Sequence, residues 1–371
     1  MKSNLINLGG IIMKVLHVGE YVNGGVATYI NELLEYQLAD PTVEDVFLAI
    51  SDYNSEMNFN IDEKKIFRYK YKRNIIYIFI ALFTLNNIIN KVKPDIIHLH
   101  STFAGIMVRL LFFIKKKDSH IIYTPHGWSF IMDISKFKKR IFSIVEKILS
   151  NRTDKIINIS QFEYDESMKY GLPEAKSVIV HSGVKISNRT KKIDLKLDSN
   201  KINLLFIGRF DYAKGLDILL ELFKRNNIKD RELYIIGASV LKDTKVVIPK
   251  NVHELGWVNH NEIDDYIVNF DAIIVPSRWE GFGLVVLEAM RNKKAVLVSS
   301  RGALPELVIE GLNGFIFDIN SSEDVLKCIS KIRKDELEKM GIEGYKLFKS
   351  KYTSKNMNKS ILSIYKQCHE N

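Results

Sequence analysis

Nine short apolar runs rich in β-branched residues recur along this chain, separated by segments whose apolar positions have helical spacing. Val15–Val18, Val46–Ile50, Ile96–Leu99, Ile121–Tyr123 and Ile156–Ile159 occupy the first half, and Leu204–Ile207, Leu233–Ile236, Ala272–Val275 and Ala295–Val298 the second. Continuous apolar runs suit strands covered on both faces, as in parallel sheets. Ala27–Leu38, Leu216–Phe223 and Leu284–Met290 read as intervening helices. The alternation predicts doubly wound α/β architecture. A chain of 371 residues is too long for one ordinary core, so two domains are expected. The polar stretch Lys185–Lys201 is the best linker, dividing residues 1–185 from 186–352. Two such domains would face each other across a cleft and bind ligands at the carboxyl ends of their strands.

Composition narrows the class. At 46% hydrophobic and 26% charged the chain is globular, not disordered. Two cysteines, Cys328 and Cys368, form neither metal spacing nor a disulfide framework, which favours a reducing cytoplasm. The N-terminus has no signal-peptide core or cleavage site, and Met13 is a candidate start after a 12-residue tail. The net charge of +10 is concentrated: Lys64 to Arg152 holds 18 basic and 4 acidic residues, or +14, leaving −4 elsewhere. This stretch includes Lys115–Lys117, Lys136, Lys138, Lys139 and Arg140, and it surrounds the apolar run Ile75–Ile89. Fifteen residues containing Asn86 and Asn87 fall short of the roughly 20 apolar residues of a spanning helix. Three readings stand: a solvated face over a core helix, a patch for anionic lipid, and nucleic-acid binding, which lacks any reader motif.

Five segments carry candidate chemistry. Asn23-Gly24-Gly25 joins a strand to a helix, where paired glycines allow close backbone approach and a helix start favours an anion. There is no GxGxxG, so a dinucleotide fingerprint is not supported. Gly208–Gly215 follows a strand and carries Arg209 and Lys214, cations able to hold a diphosphate through charge-assisted hydrogen bonds. It lacks the GxxxxGK[ST] of a Walker loop. His126, in Tyr123–Trp128, follows a buried strand and could bond a sugar hydroxyl or a reacting group; His17, His98 and His100 read as structural. Pro276–Met290 places Glu280 and Glu288 on one strand-to-helix crossing, with Gly281 and Gly283 between them. Ser299–Glu306 forms a turn fixed by Gly302 and Pro305. No Asp-x-Asp metal–diphosphate motif is present.

In this order and spacing, the segments resemble the family 4 glycosyltransferases, whose GT-B fold pairs two Rossmann-like domains. The resemblance implies a retaining, metal-independent transferase of the EC 2.4 class with no cofactor. Its donor would be a nucleotide-diphosphate sugar, a UDP-sugar by preference. Glu280 would bond the donor sugar, helped by backbone N–H groups of Gly281, Phe282, Gly283 and Leu284. Glu288 would bind the ribose, and Arg209 and Lys214 the diphosphate. These cations would offset the leaving-group charge from across the cleft. Gly24 and Gly25 would approach the donor phosphates, and His126 would sit beside the transferred sugar. The catalytic set is then His126, Glu280, Arg209 and Lys214, with no metal ligands.

The resemblance also implies that a last helix in 353–371 crosses back to the first domain, the acceptor side. With the +14 stretch there, the expected acceptor is a glycan on undecaprenyl diphosphate, at the inner face of the cytoplasmic membrane. Capsule or O-antigen assembly is the expected pathway, with no nucleic-acid partner. Gly237-Ala238-Ser239 departs from the family's glycine pattern. A nucleotide-sugar epimerase or hydrolase of the same fold, or a non-catalytic partner subunit, are the alternatives.

Overall fold

The computed structural model describes residues 12–115, 118–186, 191, 193–225, 228, 230–238 and 248–370. Residues 1–11, Lys116, Lys117, part of the expected linker and Ser239 therefore lie outside the described residues. The chain divides into two compact units, one of Met1–His181 with Lys355–Asn371 and the other of Ser182–Ser354.

In the first unit the elements run β1 (Met13–Gly19), α1 (Gly24–Ala39), β2 (Val43–Ser51), β3 (Ile66–Tyr69), α2 (Ile75–Val92), β4 (Ile96–His100) and α3 (Thr102–Ile114). They continue with β5 (His120–Thr124), α4 (Lys136–Leu149), β6 (Lys155–Asn158), α5 (Gln161–Lys169) and β7 (Ser177–Ile179). The sheet is parallel in the order β3-β2-β1-β4-β5-β6-β7, so its direction of growth reverses between β1 and β4. Leu16, Val18, Ile97, Leu99 and Ile121 are fully buried in one core cluster with α2 and α3. α2 is 18 residues long, more than the run expected, and by length and composition alone could cross a membrane. Its Ala81, Leu85, Ile88 and Val92 pack into that core, while Ile75, Ile76, Phe79, Ile80 and Phe83 are exposed.

The second unit contains β8 (Ile202–Ile207), α6 (Leu216–Arg225), β9 (Arg231–Ile236), β10 (Val252–Gly256), α7 (Ile263–Ile267), β11 (Ala272–Val275) and α8 (Leu284–Arg291). β12 (Ala295–Ser299), β13 (Gly314–Phe317), α9 (Ser322–Lys331) and α10 (Lys334–Lys351) complete it. Its parallel sheet has the order β10-β9-β8-β11-β12-β13, reversing between β8 and β11. The two sheets are Rossmann-like, as the alternation of apolar runs predicts.

The last helix, α11 (Ser354–Glu370), packs in the first unit. There Asn358 donates to the Glu32 carbonyl at 3.1 Å, and Tyr365 shares a 2.5 Å hydrogen bond with His98.

Candidate functional site

Two loops meet beside the reversal of the second sheet. In the loop after β8, the Asp211 carboxylate accepts from the Lys214 backbone N–H and closes a short turn. Gly215 leaves that turn at φ 70°, and a Cβ there would lie 2.0 Å from the Pro276 carbonyl oxygen. Only glycine lets the turn rest on the loop after β11. From that second loop, Arg278 donates its backbone N–H to Ala213 at 2.8 Å. Its guanidinium grips Asp217 at 2.7 and 2.6 Å and lies over the Tyr212 ring.

So fixed, the loops bring Lys214 Nζ to 2.6 Å from Glu280 Oε2, and Ser277 Oγ donates to the same oxygen at 3.1 Å. A third segment closes on them. A Cβ on Gly302 (φ 59°) would come within 2.2 Å of the Glu280 carbonyl oxygen, which also accepts from Ala303 N–H. α8 then starts from Gly283 at φ 98° with no side-chain cap. Phe282 is buried against Tyr352.

Glu288 lies inside. Burial raises its carboxyl above the usual range, opposed by His260 and Arg291. His260 Nδ1 is 3.6 Å from its Oε1. Arg209 is exposed and ion-paired with Asp211 at 3.0 Å. The expectation that the cations stand across a cleft from Glu280 is corrected here. Arg209 and Lys214 are on the same unit as Glu280, because one loop carries both and Gly215 seats it beside β11.

In the first unit, α1 begins at Gly24, three residues earlier than the helical pattern predicts, so Gly24 and Gly25 form its first turn. Gly24 (φ 53°) donates its N–H to the Glu56 carboxylate at 3.2 Å. β5 leads to His126, whose φ of 54° is the left-handed conformation that a residue with a Cβ rarely adopts; Gly127 follows at 105°. His126 Nε2 is 3.0 Å from His100 Nδ1, His100 Nε2 is 3.0 Å from His17 Nδ1, and His17 Nε2 is 2.9 Å from Gln37 Oε1. Burial lowers His17 to about 4 and His126 to about 3. It holds His98 and His100 well below the usual range too. All four are therefore neutral at ordinary pH.

The ligand atoms of His17, His98 and His100 lie within 4.8 Å of one another, close enough on distance for a metal ion. Each of their ring nitrogens is already engaged: His17 by Gln37 and His100, His98 by Tyr365 and Thr124, His100 by His17 and His126. A metal would have to displace those bonds at fully buried side chains, so neutral hydrogen-bonded imidazoles account for the cluster better.

The family model "Glycosyltransferase Family 4" matches residues 23–188, and "Glycosyl transferases group 1" matches 187–347. An "Uncharacterized 41.2 kDa protein in cps region" of Klebsiella pneumoniae is 33% identical over 363 residues, covering 95% of this chain and 99% of its own length. The chain is a family 4 glycosyltransferase. Also similar to it, at 24% identity over 69% of the chain and 71% of the relative, is the Escherichia coli UDP-Gal:alpha-D-GlcNAc-diphosphoundecaprenol alpha-1,3-galactosyltransferase. Among solved structures, sucrose-phosphate synthase from Thermosynechococcus elongatus has a TM-score of 0.82 at 18% identity, covering 95% of this chain and 98% of that one. That likeness shows the GT-B fold. Membership makes the chain a sugar-transferring enzyme of the EC 2.4 class.

For this glycosyltransferase, the motifs read from the sequence fall into two groups. Glu280, Lys214, Gly281, Phe282, Gly283, Leu284, Glu288 and Arg209 are on the second unit, and Gly24, Gly25 and His126 on the first. Sequence reasoning missed two features. His17, His98 and His100 are buried as expected, but His17 and His100 also connect His126 to Gln37. A signal was present: His98 and His100 are two apart on one strand and so share a face, and His17 pairs in register with His98. Glu20 was the second omission. It is buried after β1, burial raises its carboxyl, and Arg73 Nε contacts it at 2.7 Å.

Proposed function

We propose that this enzyme transfers a sugar, with retention and without a metal, from a UDP-sugar to a glycan carried on undecaprenyl diphosphate, in assembly of a bacterial capsule or O-antigen. The observation that carries the donor reading is the Lys214–Glu280 pair. Lys214 and Ser277 both engage Glu280 Oε2, so Oε1 is the oxygen offered to a sugar hydroxyl. The Lys214 ammonium has three protons and can keep one on Glu280 while donating others to a diphosphate oxygen.

Arg209 adds a second cation, and backbone N–H groups of Gly281, Phe282, Gly283 and Leu284 add neutral donors. Fixed donors aimed at developing negative charge lower the barrier to departure of the leaving group. Glu288, on α8, takes the ribose. Gly24 and Gly25 approach the phosphates, and His126 the sugar. The leaving phosphate accepts the acceptor's proton on the face it vacates, which preserves the anomeric configuration. A UDP donor and a diphosphoundecaprenol acceptor are the chemistry in the name of the Escherichia coli relative.

Helix α4 supports a lipid-borne acceptor at the cytoplasmic face of the membrane. Its Phe137, Ile141, Ile144 and Ile148 recur at helical spacing and are all exposed, whereas Ser143 and Glu146 are buried. Glu146 bonds Arg109 at 2.8 Å and the Tyr123 hydroxyl at 3.1 Å, so the polar face is anchored inward. Exposed Lys136, Lys138, Arg140 and Lys147 lie on the same helix. An apolar stripe framed by lysines suits the interface of an anionic bilayer.

The test screens purified enzyme against UDP- and GDP-sugars by thermal shift, then follows transfer to a diphosphate-linked acceptor by NMR. We expect a UDP-sugar to raise the melting temperature, with transfer surviving EDTA and the product keeping the donor's anomeric configuration. An inverted product, loss of transfer in EDTA, or donor turnover that ignores acceptor would each overturn the corresponding part.

A further inference from the structure

We infer that Gln37 is a positioning residue for His126, fixing the protonated nitrogen of that ring through His17 and His100. The chain Gln37–His17–His100–His126 consists of three hydrogen bonds of 2.9, 3.0 and 3.0 Å, and its first three members are 0% exposed. A neutral imidazole has one N–H and one lone pair, so each ring can donate at one nitrogen only if it accepts at the other. The Gln37 carbonyl oxygen can only accept. His17 therefore carries its proton on Nε2 and accepts at Nδ1. That forces the proton of His100 onto Nε2, and in turn that of His126 onto Nε2.

One lone pair is left at the far end, on Nδ1 of His126. His126 is the only one of the four residues that is not fully buried. The chain thus turns an imidazole that could donate or accept into a fixed acceptor. A fixed acceptor suits a sugar hydroxyl and repels a phosphate oxygen, so His126 reads the sugar and not the leaving group. That last clause rests on the donor reading above; the tautomer assignment does not. The left-handed backbone at His126 fits a ring held by its partners in a conformation that its own Cβ disfavours.

The experiment is long-range proton–nitrogen NMR on protein labelled with 15N-histidine, which separates the two neutral tautomers without any ligand. We expect His17, His100 and His126 to be single, neutral Nε2–H tautomers at pH 7. Gln37→Leu removes the acceptor and should give mixed tautomers at His126, while Gln37→Glu keeps an acceptor and should restore the wild-type pattern. The folded state of each variant is checked by its melting curve. An Nδ1–H tautomer at His126 in the wild type, the result of the opposite Gln37 amide orientation, would overturn the proposal even if neither variant folded. So would an unchanged His126 in folded Gln37→Leu. Neither result depends on which donor the enzyme uses.

Discussion

The two units share a parallel, doubly wound sheet, yet they furnish the carboxyl ends of their strands with opposite chemistry. Beside the reversal of the second sheet lies a partly exposed ion pair, Lys214–Glu280, together with the exposed Arg209. Beside that of the first are buried imidazoles that burial keeps neutral. Formal charges at a half-wet site can reorganise around an anionic ligand and remain solvated without one. Neutral groups buried away from solvent find their partners in one another, and a continuous hydrogen-bonded chain is the result. The outer helices differ as well. α6 buries its leucines in the usual way, whereas α4 directs its isoleucines to the outside.

The largest effect should come from the charged site. Lys214→Ala removes the ammonium from Glu280, and kcat/KM for transfer should fall by about 10²-fold or more, the scale for deleting one preorganised donor. Little change would move the leaving-group chemistry away from this loop. A smaller effect is expected at α4. The double substitution Ile141→Asp, Ile144→Asp should leave turnover of a soluble acceptor analogue intact while reducing flotation with anionic vesicles by about tenfold or more, since each buried aliphatic side chain contributes about 1.5–3 kcal/mol. Wild-type binding that is the same on neutral vesicles, or insensitive to salt, would remove the bilayer as the covering partner.

The smallest effect separates the units by pH. The folded pKa values of the four histidines lie below the unfolded value of about 6.5, so the native state binds fewer protons and its stability is complete only above that pH. As pH falls from about 6.5 towards about 4, the unfolded chain takes up protons that the native cluster does not, and stability is lost progressively. Glu20 opposes this in the same unit, one raised carboxyl against four histidines. Glu288 has the reverse sign in the second unit: its raised folded pKa makes stability fall as pH rises above the unfolded value of about 4.5. Hydrogen exchange, corrected for intrinsic rates, should show β4 losing protection between pH 7 and 5 while β11 does not. Equal losses would show that the two units do not differ in this way.

Legibility in the sequence followed burial. All nine strands that the apolar runs predict are present, and among the described residues the four that they miss, β3, β7, β10 and β13, are the four sheet edges. An edge strand is covered less completely, so β3 has one buried residue in four and β10 one in five, and no continuous apolar run marks those two. At the candidate site, residues in Gly-flanked loops were legible because glycine at φ 70° or 59° and a lysine beside it leave a local signature. Gln37 left none. It is a polar residue inside a helix, and its meaning lies in a ring 20 positions away.

The sequence by itself determined the doubly wound class, the interior strands and the loops that carry Arg209, Lys214, Glu280 and His126, because each depends on neighbours within a few residues. Tertiary structure alone decided that Lys214 meets Glu280, that α4 faces outward, and that four residues from α1, β1, β4 and the loop after β5 form one hydrogen-bonded chain. Those outcomes depend on which strands lie side by side and which face of a helix the core accepts, and hydrogen bonds spanning 20 to 83 positions have no local pattern to announce them.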